Sequence, residues 1–299
     1  MSKSKLKSAL FSINECIKDL KIYSHASKAD TRHILNRCIK DLHDQGFMVT
    51  HVKGLKSKHI YVLVEYWKQQ GKNPATIKNY MSKLRKLSIW LNKPELIKRS
   101  NDHYQIDKRN YIPTQNKAIF SIDFSKCEEP MIRLSLEAQY LFGLRREESL
   151  KLIISEAWRG ERLILKPSWT KGGIGRAIDI TNNEQKAWLE KAIKQVSHGQ
   201  SLIPKEKTYK QYLRQYQTET EKLGLKNCHG LRHAYAQKRY HEITSQHSPD
   251  KLPFKCPIEG GKPSKHLSQS EKAIDREARG IISRDLGHSR VSITKSYLG

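Results

Sequence analysis

The sequence predicts a mainly helical, two-domain protein of the α+β class with a small antiparallel sheet in its second half. Three observations predict it. The first hundred residues repeat apolar side chains at three- and four-residue spacing; a polar stretch follows in which that period lapses; and two short β-like runs later flank a glycine-rich turn. A chain of 299 residues is long enough for two domains, each with its own core.

The elements follow in order. Thr31 to Gly46 sets Ile34, Leu35, Cys38, Ile39 and Leu42 on one helical stripe, and Gly46 is a natural stop. His59 to Gln70 repeats the pattern with Ile60, Leu63, Val64 and Trp67 until Gly71-Lys72-Asn73-Pro74 breaks it. A third helix is expected from Ala75 to Leu91. Ile77, Tyr80, Met81, Leu84, Leu87 and Trp90 take one side of it, and Lys78, Lys83, Arg85 and Lys86 the other. A solvated face is the ordinary fate of such bases; in a chain this basic they are read as phosphate contacts. Residues 1–105 are assigned to a helical N-terminal domain, with 1–30 left as either an arm-binding piece or a lead-in. From about Ser100 to Asn116 the chain is polar and aperiodic, which sets the linker at 106–118.

The second domain, 119–299, opens with a helix from Glu128 using Met131, Leu134, Ala138 and Leu141, interrupted at Gly143. Arg162–Lys166 and Arg176–Ile180 are the two strands, joined through Lys171-Gly172-Gly173-Ile174-Gly175. Arg176 is counted with the DNA-contacting bases. Helices are expected at Glu184–Val196, Tyr209–Leu223, His229–Ile243 and Glu271–Leu286. Between the last two, residues 244–270 hold four prolines and two adjacent glycines and are read as an insertion loop, either an arm for DNA or a partner, or a neutral surface excursion.

Charge narrows the partner. Fifty-six Lys and Arg stand against 30 Asp and Glu, a net +26, and a protein that basic attracts polyanions, nucleic acid first among them. No run of apolar residues is long enough to span a bilayer, and the basic N-terminus is not followed by the apolar core of a signal peptide. Five cysteines stand alone at 16, 38, 127, 228 and 256, without a CxxC pair, so neither a disulfide framework nor a zinc knuckle is expected. Cys228 beside His229 and Cys256 before His266 read as reduced, partly buried thiols; no metal site is assigned.

Cutting a phosphodiester without a metal needs fixed guanidinium groups on the non-bridging oxygens, an in-line nucleophile, and an acid for the leaving sugar oxygen. Three segments offer such groups. Gly143-Leu144-Arg145-Arg146-Glu147-Glu148 ends one helix and starts another, with Glu148 placed to brace Arg145 three residues back. His229-Gly230-Leu231-Arg232-His233 puts an imidazole and a guanidinium on one helical face. Leu286-Gly287-His288 is followed nine residues on by Tyr297. Singly these are an ordinary helix start, a chance pair and a half-buried tyrosine.

In this order they resemble the tyrosine recombinase (phage integrase) family, with its G-L-R-x-x-E, H-x-L-R-H and L-G-H boxes and a tyrosine nine residues after the last. The resemblance implies a helical core-binding domain and a catalytic domain that together form a C-shaped clamp on DNA. It implies that Arg145 and Arg232 hold the scissile phosphate, that His229 acts in proton transfer, that His288 hydrogen-bonds the phosphate, and that Tyr297 attacks to give a 3′-phosphotyrosyl link. The family's general-acid lysine lies on a β-hairpin between the first two boxes; Lys171 matches it best and Lys166 is the runner-up. No cofactor is implied. The partners implied are a specific double-stranded DNA site, three further copies in a homotetramer that passes through a Holliday junction, and an accessory bending or directionality factor. The implied setting is cytoplasmic and nucleoid-associated, in a bacterium, phage or mobile element. Two features depart from the family: a gap of 56 residues between Arg232 and His288, and only two residues after Tyr297, where many relatives carry a segment that packs on a neighbouring subunit. A type IB-like topoisomerase and a non-catalytic DNA-binding protein are the competing readings.

Overall fold

Asn73 and Pro74 show how local chemistry sets the helices. The Asn73 side chain accepts the Ala75 N–H at 2.8 Å, and Pro74 sits at the first helical position, where its missing N–H costs nothing. The computed structural model describes residues 2–18, 24–108 and 110–299. It divides into two units, Met1–Asn110 and Tyr111–Gly299.

The first unit contains α1 (Ser2–Lys18), α2 (His25–Asp44), α3 (Ser57–Gln69) and α4 (Pro74–Trp90). Their apolar stripes meet in one core around Leu35, Cys38, Leu42, Leu63, Trp67 and Met81. Trp67 is fully buried and its indole N–H is satisfied by Asp41 at 2.7 Å. The lead-in reading of residues 1–30 is corrected for 2–18. These form a helix that buries Ala9, Ile13 and Ile17 completely, and Ser12 accepts the Val52 N–H at 3.0 Å. Each buried isoleucine contributes about 2 kcal/mol, so α1 is part of the core. Residues 19–23, also within that stretch, and Arg109 of the linker lie outside the described residues. Tyr104 and Ile106 are buried in the first unit, so its core reaches into the start of the stretch read as linker.

The second unit begins with α5 (Pro130–Phe142), capped by Glu129, whose carboxylate accepts the Ile132 N–H at 2.7 Å. It continues through α6 (Arg146–Lys151), α7 (Ile154–Ala157), a three-stranded antiparallel sheet, α8 (Asn183–Gln195), α9 (Tyr209–Lys222), α10 (His229–His247), α11 (Gln269–Asp285) and α12 (Lys295–Leu298). The strands are β1 (Trp158–Arg159), β2 (Arg162–Leu165) and β3 (Arg176–Asp179), in the order β1-β2-β3. In their register Leu163 faces Ile178 and Leu165 faces Arg176, which turns Leu163, Leu165 and Ile178 inward. β1 was not foreseen, because two residues carry no alternation to read. The stretch after α10 is no loose excursion: Cys256 is fully buried, Thr244 accepts the Phe254 N–H at 2.9 Å, and Ser264 donates to Asp275 at 2.8 Å. No helix among the described residues is long and apolar enough to cross a membrane.

Candidate active site

Two helices of the second unit end on glycines, and those endings build the site. Gly143 terminates α5 at φ +61°, where a Cβ would lie 2.4 Å from the Tyr235 ring, so both backbone and space demand glycine. Leu286 and Gly287 close α11 in the same way. A helix end leaves its last carbonyls unpaired and negatively polarised. Arg232, on the first turn of α10, takes up both ends: one terminal nitrogen donates to the Gly143 carbonyl and the other to the Leu286 carbonyl. Its Nε donates to the Tyr297 hydroxyl at 3.2 Å. With 1% of its surface exposed, Arg232 is among the largest fully buried side chains, and burial draws its guanidinium down to about 10, still charged at neutral pH.

Gly230, inside the second box, has a different duty. A Cβ there would meet Ile119 at 2.5 Å and the Lys117 carbonyl at 2.6 Å, and Ile119 donates its N–H to the Gly230 carbonyl at 3.0 Å. The start of α10 is thereby pinned under the 117–119 segment, which fixes where His229 and Arg232 point.

Arg145 caps α6 and is held by Glu148 in two ways. Its side chain donates to Glu148 Oε1 at 2.6 Å and its backbone N–H to Oε2 at 2.8 Å, while a longer 3.5 Å contact reaches the Gly287 carbonyl. Glu148 is 1% exposed and also receives a two-pronged pair from Arg176, at 3.1 and 2.7 Å. Burial alone would raise this carboxyl; Arg176 and Arg145 outweigh it and hold it at about 2. Arg176 spends its third donor on the Asp285 carbonyl at 2.7 Å, and its side chain keeps 8% of its surface. Counted from sequence among the DNA-contacting bases, Arg176 here directs its guanidinium inward, and it braces the acid that braces Arg145.

Around the Tyr297 hydroxyl stand Arg232 Nε and His288 Nε2, each at 3.2 Å, and His229 Nε2 at 3.4 Å. His233 packs its ring against the phenol with centroids 4.6 Å apart. Tyr297 is 4% exposed and its carbonyl accepts from Gln237 at 2.9 Å, which seats the tyrosine in its own chain's site. Burial, reinforced by Arg232 and Arg145, lowers His229 and His288 to about 4; burial, His229 and Lys117 do the same to His233. His229 shows an exposed edge to solvent, which tempers the effect there, whereas His233 is buried. All three rings are neutral at pH 7 and can accept a proton. His233 and Gln237 were not singled out from sequence, although 229, 233 and 237 share one helical face at four-residue spacing.

Arg145, Arg146, Lys171, Lys226 and His229 line one cleft of about 470 Å³. Lys171 stands exposed in the turn between β2 and β3. Lys166 instead pairs with Glu156 at 2.6 Å and lies over the Trp169 ring. In the first unit, Lys83 pairs with Asp30 at 2.7 Å and bonds Thr31 at 3.1 Å, and Arg85 donates to the Lys98 carbonyl and the Asn101 side chain. Lys83 and Arg85, counted from sequence among the DNA contacts, thus also hold bonds within their own unit. Lys78 and Lys86 remain on the partly exposed flank of α4.

The family profile described as "Phage integrase, N-terminal" matches residues 13–95, and the profile described as "Integrase" matches residues 114–238. No curated protein matches by sequence. Among solved structures, the fold is similar to lambda integrase (residues 75–356) in a dimer bound to a COC′ core site, at 16% identity and a TM-score of 0.54 over 95% of this chain and 96% of that one. It is similar to a lambda integrase tetramer bound to a Holliday junction, at 16% identity and a TM-score of 0.51 over 81% and 76%. It is also similar to the XerH site-specific recombinase bound to a palindromic difH substrate, at 15% identity and a TM-score of 0.51 over 99% and 89%.

Proposed function

We propose, from the premise that this chain belongs to the tyrosine recombinase (phage integrase) family, that it is a site-specific DNA recombinase with Tyr297 as its nucleophile. The observation that carries the assignment of Tyr297 is the convergence of Arg232, His288 and His229 on its hydroxyl within 3.4 Å. A tyrosine half-buried by chance has no reason to collect a charged guanidinium and two neutral imidazoles.

The family resemblance assigns the chemistry to these residues. Arg232 and Arg145 hold the non-bridging oxygens of the scissile phosphate, where charge develops during attack. Since Tyr297 itself covers the Nε edge of Arg232, an arriving phosphate displaces the phenol from that edge and leaves it adjacent, ready for attack within the same chain. Neutral His229 accepts the phenolic proton, and His288 hydrogen-bonds the phosphate. Lys171, in the cleft, protonates the departing 5′-oxygen. The phosphodiester energy is kept in a 3′-phosphotyrosyl bond, which a 5′-hydroxyl from another strand reverses. Four such sites on two DNA segments would exchange strands through a Holliday junction, with an accessory bending or directionality factor setting the outcome. A phage or mobile-element product working on the bacterial nucleoid is the setting this reading implies. The integrase matches favour recombination over the type IB-like topoisomerase reading, and the assembled site speaks against a mere binder.

The test is to trap covalent protein–DNA adducts in cells under denaturing conditions and sequence the attached DNA, with Tyr297→Phe as control. Adducts at one defined sequence, lost in the variant, are expected. Adducts scattered over the genome would restore the topoisomerase reading, and salt-sensitive DNA binding without any adduct would leave only a binder.

A further inference from the structure

The recombination chemistry leaves residues 248–268 unused, and that stretch brings a donor set of its own. His241 lies late on α10, and Cys256 and Glu259 bracket the turn at Pro257–Glu259. Their ligand atoms meet: His241 Nε2 is 2.7 Å and Cys256 Sγ 2.8 Å from the same Glu259 oxygen, and all three atoms lie within 4.8 Å of one another. Cys256 is fully buried, while the Glu259 and His241 side chains keep 19% and 34% of their surface. The sulfur forms the floor and the other two donors form a partly open mouth.

A hydrogen-bonded knot alone accounts poorly for this arrangement. One carboxylate oxygen faces the imidazole, the thiol and the Cys256 N–H (3.2 Å), although a thiol is a weak donor. Sulfur, imidazole nitrogen and carboxylate oxygen together are a zinc-class donor set. An ion at 2.0–2.3 Å from each would space them about 3.3–3.6 Å apart, within reach of small side-chain shifts. The turn is already set for it. Glu259 and Gly261 both donate their N–H to the Cys256 carbonyl, at 2.9 and 3.1 Å, so Cys256 and Glu259 are held facing one side. From sequence Cys256 read only as a reduced thiol; the fold gathers it with His241 around Glu259.

We propose that His241, Cys256 and Glu259 form a structural metal site for a zinc-class divalent cation, with water in the fourth position. On binding, the sulfur–metal bond replaces the S–H bond and the proton leaves to solvent. The ion staples the 248–268 stretch to α10 directly beneath the nucleophile's seat. Cys256 shares one apolar cluster with Tyr240, Ile282, Leu286, Tyr297 and Leu298, and Ile258 packs against it.

Full-length protein purified without an affinity tag, stripped by chelator and free of DNA, is titrated with Zn²⁺ against a chromogenic chelator, and separately with Co²⁺. One equivalent is expected, with a thiolate-to-cobalt charge-transfer band in the near ultraviolet and a Tm several degrees higher with zinc. Cys256→Ser abolishes the band, and Glu259→Gln or His241→Asn weakens uptake at least tenfold. Failure of the wild-type protein to take up a stoichiometric ion overturns the proposal, as does a band that survives Cys256→Ser. The readout involves no strand cleavage, so it stands apart from the recombinase reading.

Discussion

Bases crowd two regions of this chain, and the two use them differently. On α4 of the first unit, Lys78, Lys83, Arg85 and Lys86 fall within nine residues of sequence. In the second unit, Arg145, Arg176 and Arg232 come from three distant places and are bonded to one carboxylate and to carbonyls at helix ends. The surface cluster advertises itself, yet Lys83 and Arg85 within it are engaged in local clamping. The dispersed set gives no charge signal and builds the site. Net charge thus points to the class of partner, but what a base does is decided by where its donors are already spent. A buried guanidinium is costly unless paired, and the partners of Arg145, Arg176 and Arg232 fix the direction of each.

The widest gap between the regions is expected at Tyr297. Tyr297→Phe removes the nucleophile and is predicted to abolish covalent cleavage, a loss beyond about 10⁴-fold. Its buried partner, Arg232 Nε, is left without an acceptor, so the variant also loses about 1–3 kcal/mol of stability. Suicide-substrate trapping and calorimetry read the two effects separately. Equal cleavage in the variant would mean that Tyr297 is not the nucleophile.

Lys171 and Lys166 give the next contrast, within one hairpin. Lys171→Ala is expected to slow cleavage about 10²–10⁴-fold, the usual worth of a general acid. Lys166, exposed and paired with Glu156, should be silent. A substrate with a bridging 5′-sulfur needs no proton on leaving and should rescue Lys171→Ala. Absence of rescue would demote Lys171 to a binding residue.

Glu148→Gln comes third. It leaves two guanidinium groups facing a neutral amide at a site 1% exposed, so stability should fall by about 3–5 kcal/mol, as for a broken buried pair. Cleavage should fall about 10²-fold as Arg145 loosens. The matching experiment in the first unit, Lys83→Ala, removes a pair with half-exposed Asp30 and should cost under about 1 kcal/mol. Urea unfolding of both variants checks the ratio.

These cases also show what was legible in the sequence. The three boxes could be read because each packs its chemistry into a local string: Gly143 and Gly287 at helix ends beside Arg145 and His288, and Gly230 at the packed start of α10 between His229 and Arg232. The helices of the first unit from Ile34 onward were legible through wide apolar stripes. α1 was not, because its buried stripe of Ala9, Ile13 and Ile17 is narrow, broken by Ser12, Asn14 and Glu15 and preceded by Lys3, Lys5 and Lys7. The role of Arg176 was hidden because Glu148 lies 28 residues away and Asp285 109 away. The convergence of His241 with Cys256 was hidden because the turn at Pro257–Glu259, which brings Cys256 back to α10, lies in a stretch with no periodicity to read.

The pH response should separate the regions more gently. His233 is buried and held at about 4 in the folded protein, against 6.5 when free. Between those values the unfolded chain binds the proton and the folded one does not. The stabilisation is therefore complete above about pH 6.5 and lost as pH falls towards 4, worth up to roughly 3 kcal/mol. His229 and His288 act in the same direction. Denaturant melts across that window should show the slope, and His233→Gln should reduce it by that residue's share.

The smallest effect belongs to the α4 flank, and it tests whether that surface meets DNA at all. Lys78 is partly exposed, whereas Lys83 and Arg85 are tied to their own unit. If Lys78 neutralises one phosphate, Lys78→Ala should weaken DNA binding severalfold at low salt and lower the slope of log K against log salt by about one, equally for specific and non-specific sequences. Arg85→Ala should instead lower the melting temperature, since it frees the 98–101 segment it holds. A Lys78 variant with an unchanged salt slope would mean that α4 turns its bases to solvent, and that the charge of the first unit steers DNA without touching it.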